Sequence, residues 1–258
     1  MKTALSIAGL DPSGGAGVLA DVRVFSAFGV YGMAVVSALT AQNSRGVSLT
    51  SPLNPNMVVR QLDSLFSDFD ISAVKIGMLG TRQMVSAIGK FLSDSGFGGP
   101  VVLDPIIRSS SGALLLDPQA LRALKRELLP HITLIKPNLH EASMLSETPV
   151  ETVVDMREAA GVIAGMGAGA VLITGGHLKT RATDVLLDDR GFAEFTSKRL
   201  PKEVHGTGCH LSAAITAGLA RGVPVRDAVA EAKKYLDRLL EKGTFKPGSG
   251  VEYFTDCR

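Results

Sequence analysis

The chain has no tryptophan, only three tyrosines, and two cysteines, Cys209 and Cys257, among its 258 residues. Two cysteines cannot build a disulfide framework, and none of the five histidines, His131, His140, His177, His205 and His210, stands at zinc-site spacing with them. A stapled secreted scaffold and a structural zinc domain are therefore excluded. No stretch reaches the roughly 18 uninterrupted apolar residues that a membrane-spanning helix needs. The first residues run straight into a short apolar strand with no basic n-region or cleavage site, so a cytoplasmic protein is expected. Long like-charged runs are missing too. The 27 basic and 25 acidic residues leave a formal charge of +2, and the longest basic patch is the pair Lys233 and Lys234. Neither a nucleic-acid footprint nor a membrane-binding face is present. No repeat, low-complexity tract or Pro/Ser-rich linker divides the chain, which predicts one domain over residues 1–258.

What is present is a globular composition, 45 % hydrophobic and 20 % charged, arranged as alternating strand and helix patterns. A strand over 4–8, a glycine-rich turn over 9–17 and a helix over 18–28 open the chain, followed by a strand over 33–39. Val58, Val59, Leu62, Leu65, Phe66 and Phe69 recur at spacings of three and four, predicting an amphipathic helix over 56–69. Strands are expected at 71–76, 101–103, 132–135 and 171–173. Asp117 and Pro118 should cap a helix running to 129, and another helix is expected around 156–166. Segments 184–187 and 192–195 read as a hairpin, giving the sheet one antiparallel edge. A helix over 211–219 and a longer one carrying the stripe Val225, Ala228, Val229, Ala232, Tyr235, Leu236, Leu239 and Leu240 follow. The tail from 243 to 258 reads as irregular. The fold class is α/β, a mostly parallel sheet covered by helices on both faces.

Ligands of open α/β sheets bind beyond the carboxyl ends of the strands. Polar or special residues gather there: Gln42 and Asn43 after 33–39, Met78 after 71–76, Asp104 after 101–103, and Asn138 after 132–135. The loop Gly9-Leu10-Asp11-Pro12-Ser13-Gly14-Gly15-Ala16-Gly17 allows close backbone approach, but it is neither a P-loop nor a dinucleotide fingerprint. Asn138 and Glu141, three apart at a helix start, suit either a capping box, which the spacing favours, or a hydrated magnesium ion. His205-Gly206-Thr207-Gly208-Cys209 runs into an apolar helix. Small residues there leave backbone N–H groups open to an anion, and the helix field should draw Cys209 toward thiolate, unless it is simply a buried cysteine at a turn.

Seven segments together resemble the hydroxymethylpyrimidine and phosphomethylpyrimidine kinases of thiamin biosynthesis, within the ribokinase-like superfamily. They are residues 9–22, Thr40-Ala41-Gln42-Asn43, Lys75-Ile76-Gly77-Met78-Leu79, Asp104-Pro105, Lys136-Pro137-Asn138-Leu139-His140-Glu141, Gly175-Gly176-His177, and His205 to Cys209. The resemblance implies a ribokinase-like three-layer α/β/α sandwich and transfer of the ATP γ-phosphoryl, with Mg²⁺, to the hydroxymethyl of 4-amino-5-hydroxymethyl-2-methylpyrimidine and then to its monophosphate. It further implies Cys209 as general base, and Gly206, Thr207 and Gly208 as the anion site. Gln42, Met78, Gly9, Ala16, Asp21 and Ile106 would surround the pyrimidine, Asn138, Glu141, Thr174 and Gly176 the nucleotide, and Asp104 with Glu141 the metal. A homodimer is implied as well. An aminopyrimidine edge, donor beside acceptor, is matched by the Gln42 amide. Thr174 stands where many members have lysine, His210 replaces a common threonine, and Arg108-Ser109-Ser110 replaces a more apolar run before Ser111-Gly112. A pyridoxal or pyridoxine kinase, and a pyrimidine sensor without catalysis, are the rival expectations.

Overall fold

A computed structural model describes residues 1–108, 115–176, 178, 182–197 and 204–255. Ser109, Ser110, Ser111, Gly112, His177 and Cys257, singled out in the sequence, lie outside them. The elements run β1 (Thr3–Leu10), α1 (Gly17–Ala27), β2 (Tyr31–Asn43), β3 (Gly46–Pro52), α2 (Pro55–Phe66), β4 (Ala73–Ile76), α3 (Arg82–Ser95), β5 (Val101–Leu103) and α4 (Pro118–Ala123). They continue with β6 (Leu134–Ile135), α5 (Leu139–Ser146), α6 (Val153–Ala164), β7 (Val171–Ile173), β8 (Ala182–Asp188), β9 (Gly191–Ser197), α7 (Thr207–Ala220), α8 (Val225–Lys242), β10 (Thr244–Phe245) and β11 (Tyr253–Phe254). None of the described helices is long and apolar enough to cross a membrane.

Residue alternation in the central strands builds a sheet buried on both faces. Leu5 and Ile7, Val74 and Ile76, and Val101 and Leu103 join one core with α2, α3, α5 and α6, while Ala4, Ala73 and Val102 join a second with α1, α7 and α8. The second face is lined by small residues, which lets α7 lie close: it is buried from Cys209 to Ala220. The strand order is β3-β2-β1-β4-β5-β6-β7-β8-β9. β2-β1-β4-β5-β6-β7 are mutually parallel. The expected α/β/α sandwich is therefore present, and the β8–β9 hairpin forms the expected antiparallel edge.

Four sequence expectations need correction. The opposite edge is antiparallel as well, because β3 pairs with β2. β3 has no buried residue, so no apolar alternation marked it. β2 itself continues past residue 39 to Asn43, with Gln42 opposite Val47; Gln42 and Asn43 thus lie within a strand rather than after one. The helix beginning at the Asp117 cap, whose side chain accepts from the Gln119 N–H at 2.8 Å, leaves α geometry after Ala123. A π-helical turn over Leu124–Leu128 and a 3₁₀ turn over Leu129–His131 follow, the latter containing Pro130, which has no N–H to continue an α-helical ladder. Finally, the described tail, residues 243–255, carries regular structure: β10 and β11 pair, Val204 bridges Glu252, and the Tyr253 hydroxyl donates to Ser13 Oγ at 2.9 Å. Two-residue strands are too short to leave a pattern, yet this pair covers the glycine loop.

Candidate active site

The strand order reverses at β1, with β2 on one side and β4 on the other, so the crevice beyond the carboxyl ends of β1 and β4 is the topological switch point. Gly9 and Met78 meet there. A Cβ on Gly9 would lie 2.6 Å from Met78 Cε. Met78 packs with Ala38 and Leu115, and Ile106 covers them, so the expected pocket residues Gly9, Met78 and Ile106 share one apolar wall. The glycine loop is shaped by Asp11, whose carboxylate accepts from the N–H and hydroxyl of Ser13 and from the Ala16 N–H, at 2.9, 2.7 and 3.0 Å. Ala16 is the N-cap of α1. Gly17 has φ +60 and its Cβ would strike the Gly9 carbonyl oxygen at 2.2 Å, so glycine is needed there on both counts.

Beneath this loop lie two buried ion pairs. Asp21 is fully enclosed rather than pocket-lining, its oxygens 2.8 and 2.7 Å from Lys75 Nζ and one of them accepting from Ser6 Oγ at 2.6 Å. Burial alone would lower the Lys75 pKa, but Asp21, helped by Cys209 and Asp104, outweighs it and raises the value, so the ammonium stays charged. Asp104 pairs with Lys136 Nζ at 3.0 Å and accepts from Ser212 Oγ at 2.9 Å. Burial pulls the Lys136 pKa down, and Asp104 and Glu141 more than reverse it.

The N-terminus of α7 sits over the second pair. Gly206, its N-cap, has φ +77, and a Cβ there would lie 1.8 Å from the Gly15 carbonyl oxygen. A Cβ on Gly208 would lie 3.5 Å from Lys136 Nζ and 4.0 Å from Asp104 Oδ2. Unpartnered N–H groups of the first helical turn, a buried lysine and a carboxylate thus share one corner. His210, the departure from threonine, braces this loop: Nδ1 lies 2.9 Å from the Gly206 carbonyl oxygen, the ring packs on Phe254, and burial holds its pKa down at about 4. Cys209 is at the expected place but not in the expected state. Burial pushes its thiol up to about 11, Asp104 and Asp21 add to the rise, and Lys75 and a backbone hydrogen bond with Gly17 only partly oppose it. Desolvation outweighs the helix field, and the thiolate expectation is overturned.

At the far end, Asn138 and Glu141 form a complete capping box, each accepting the other's backbone N–H at 2.9 Å. Glu141 Oε1 also accepts from the Ile107 N–H at 3.3 Å. Asn138 bridges Thr174, whose N–H donates to the Pro137 carbonyl at 2.9 Å. Nothing lies within 4 Å of a Cβ placed on Gly176, leaving open backbone beside them. Among the described residues no group of three or more His, Cys, Asp or Glu could hold a metal by itself. Two neighbouring carboxylates nonetheless fit magnesium, which takes one or two protein carboxylates and completes its shell with water and phosphate oxygens.

Burial, with the nearby Asp104 charge, raises the Glu141 pKa from 4.5 to about 7. Between those values the folded state binds the extra proton, so this group lowers stability progressively as pH rises from about 4.5 to about 7. Urea unfolding at pH 5 and pH 8 should therefore show Glu141→Gln gaining about 1–3 kcal/mol relative to wild type at the higher pH. A pH-independent difference would contradict the raised value.

Lys75, Lys136, Ser212, His205 and Tyr253 were not given roles by the sequence reading. Lys75 carried a usable signal, a lone charge inside the apolar strand Ala73–Ile76, where only a buried counter-charge makes it tolerable. The contacts of Ser212 and Tyr253 depend on residues more than a hundred positions away and left none.

The family model described as phosphomethylpyrimidine kinase matches residues 11–254. The hydroxymethylpyrimidine/phosphomethylpyrimidine kinase of Rhizobium meliloti is 46 % identical over 236 residues, covering 90 % of this chain and 88 % of that protein. The crystal structure of phosphomethylpyrimidine kinase from Clostridium difficile 630 superimposes with a TM-score of 0.83 at 36 % identity, over 92 % of this chain and 99 % of that one. The ADP complex of Bacillus subtilis pyridoxal kinase gives a TM-score of 0.89 at 35 % identity, over 98 % and 96 % of the two chains. With its crevice at the β1/β4 switch point and its glycine-rich α7 entry over a buried lysine, the chain belongs to the phosphomethylpyrimidine kinase family and has the ribokinase-like fold.

Proposed function

We propose that this chain, acting as a single kinase domain, transfers the γ-phosphoryl of ATP to the hydroxymethyl oxygen of 4-amino-5-hydroxymethyl-2-methylpyrimidine, and then phosphorylates the monophosphate to the diphosphate. The observation that carries the reading is the α7 entry, where the first turn, through Gly208, lies beside Lys136 and Asp104, while the apolar wall of Gly9, Met78 and Ile106 stands at the same carboxyl-end edge of the sheet as Asp104. Phosphoryl transfer asks for alignment and charge neutralisation more than for covalent help.

In this reading the ring lies against Met78 and Ile106, with Gln42 on its amino edge and Gly9 and Ala16 allowing close approach. Asp21 acts from beneath the pocket by holding Lys75 charged. The backbone N–H groups of Gly206, Thr207, Gly208 and Cys209 hold the transferring phosphoryl, and Lys136 offsets its charge. The minor thiolate form of Cys209 receives the hydroxyl proton as the oxygen bonds to the γ-phosphorus and the bond to ADP breaks. Magnesium, bound with the nucleotide, would neutralise phosphate charge, and Asp104 and Glu141 would hold it, the latter through water because both its oxygens accept backbone N–H groups. Asn138, Thr174 and Gly176 flank the nucleotide. The Thr174 hydrogen bond comes from its backbone N–H, which lysine would keep, so that departure removes a charge and not the strand-end geometry. The family resemblance supports a cytoplasmic homodimer that acts on free small molecules.

A coupled ADP-release assay with the hydroxymethylpyrimidine, its monophosphate, pyridoxal and pyridoxine tests the reading. The two pyrimidines are expected to give the highest kcat/KM values. Higher values with the pyridoxal pair would assign the protein to vitamin B6 chemistry, and binding without turnover would make it a sensor.

A further inference from the structure

Gln42 does not stand alone. Its amide terminus lies 3.1 Å from His205 Nε2, and the same imidazole nitrogen lies 2.8 Å from Asp11 Oδ2. The other amide atom lies 3.3 Å from Thr40 Oγ1, which donates its single hydrogen to the Leu10 carbonyl at 3.0 Å. These partners admit one consistent assignment. Asp11 already accepts from Ser13 and Ala16, and although burial opposes ionisation, hydrogen bonds from His205 and Ser13 hold its carboxyl below the usual range. An ionised Asp11 accepts only, so His205 Nε2 must carry a hydrogen. That nitrogen then faces the Gln42 amide nitrogen, two donors in contact. A half-turn of the amide removes the conflict, because Oε1 then shares the single His205 Nε2–H with Asp11 Oδ2 as the second acceptor of a three-centre bond. Nε2–H now donates to Thr40 Oγ1, whose hydrogen is already committed to Leu10.

We propose that Asp11, His205 and Thr40 lock the Gln42 amide in one orientation, making His205 a positioning residue that selects an amino-bearing pyrimidine edge over its oxo counterpart. The inference rests on the proposed pyrimidine reading. With one lone pair of Oε1 and one hydrogen of Nε2 taken, the amide keeps a single acceptor and a single donor in fixed places. They pair with a 4-amino group and the neighbouring ring nitrogen. A 4-oxo ring reverses this edge, with a carbonyl beside a ring N–H, and an unconstrained glutamine would accommodate it by turning over. The locked one meets acceptor with acceptor and donor with donor. Ordering comes from the cover formed by the tail, since Tyr253 packs edge-on against His205 at 5.2 Å and its hydroxyl holds Ser13.

The test is calorimetric binding of 4-amino-5-hydroxymethyl-2-methylpyrimidine and its 4-oxo analogue to the intact protein, with folding followed by circular dichroism. Wild type should bind the amino compound at least about 10²-fold more tightly. His205→Phe keeps the ring against Tyr253 but removes the donor, and should narrow that ratio at least tenfold. Thr40→Val, which leaves the Asp11 and His205 contacts in place and removes one hydrogen bond to the Leu10 carbonyl, should narrow it by a smaller factor in the same direction. A purely structural role would weaken both ligands equally, so unchanged ratios in both folded variants would overturn the lock while leaving the pyrimidine reading intact. Wild type that binds neither compound would remove that reading, and the lock with it.

Discussion

Replacing Cys209 by alanine is expected to lower kcat for the hydroxymethyl substrate by roughly 10²-fold or more, with little change in pyrimidine affinity. The expectation comes from position: Cys209 lies in the first turn of α7, beside the corner formed by Gly208, Lys136 and Asp104. Its pKa of about 11 adds two consequences. The thiolate is a small fraction near neutrality and grows about tenfold per pH unit, so wild-type kcat for the first transfer should still be rising between about pH 7 and 9. In folded Cys209→Ala that slope should vanish. The second transfer provides an internal control, because the attacking phosphate oxygen of the monophosphate is already ionised and needs no base. The alanine variant should therefore lose far more in the first transfer than in the second. Equal losses in both, or a first-transfer kcat near that of wild type, would reduce Cys209 to a packing residue.

The second large effect is on stability. Lys75→Met should cost about 3–5 kcal/mol in urea unfolding, the usual penalty when one member of a buried ion pair is removed. Asp21 has no solvent exposure, and beyond Lys75 it accepts a hydrogen bond from the Ser6 hydroxyl, so the variant strands a carboxylate in the core. The double variant Lys75→Met/Asp21→Val leaves no charge unpaired and should regain most of the loss. The single variant should also slow the first transfer, since Lys75 is a charge that opposes the rise of the Cys209 pKa. A single-variant loss below about 1 kcal/mol would mean that Asp21 takes up a proton there without penalty.

The legible parts of this protein were those written in local periodicity. The alternating strands and helices, the β8–β9 hairpin and the apolar stripe of α8 all follow from which faces are buried, and the sheet order places their carboxyl ends where the sequence reading put the ligand. Edges and covers were not legible. β3 has no buried residue, and β10 and β11 span two residues each, so neither produces a pattern. These same elements define the pocket: β3 supports the strand that carries Gln42, and β11 brings Tyr253 against His205. The site chemistry divides in the same way. The capping box of Asn138 and Glu141 could be read from spacing. The state of Cys209 could not, because a helix terminus is visible in sequence, whereas the depth of burial and two nearby carboxylates that outweigh it are not.

The central claim is that one site performs two successive phosphoryl transfers on the aminopyrimidine, and ³¹P NMR of a single reaction tests it most directly. With wild-type protein, magnesium, excess ATP and 4-amino-5-hydroxymethyl-2-methylpyrimidine, a phosphomonoester resonance should appear first and then decline as the paired resonances of a diphosphate monoester grow. Absence of any new phosphoester, while pyridoxal in a parallel tube is phosphorylated, would contradict the account, and a monophosphate that persists under excess ATP would contradict its second step.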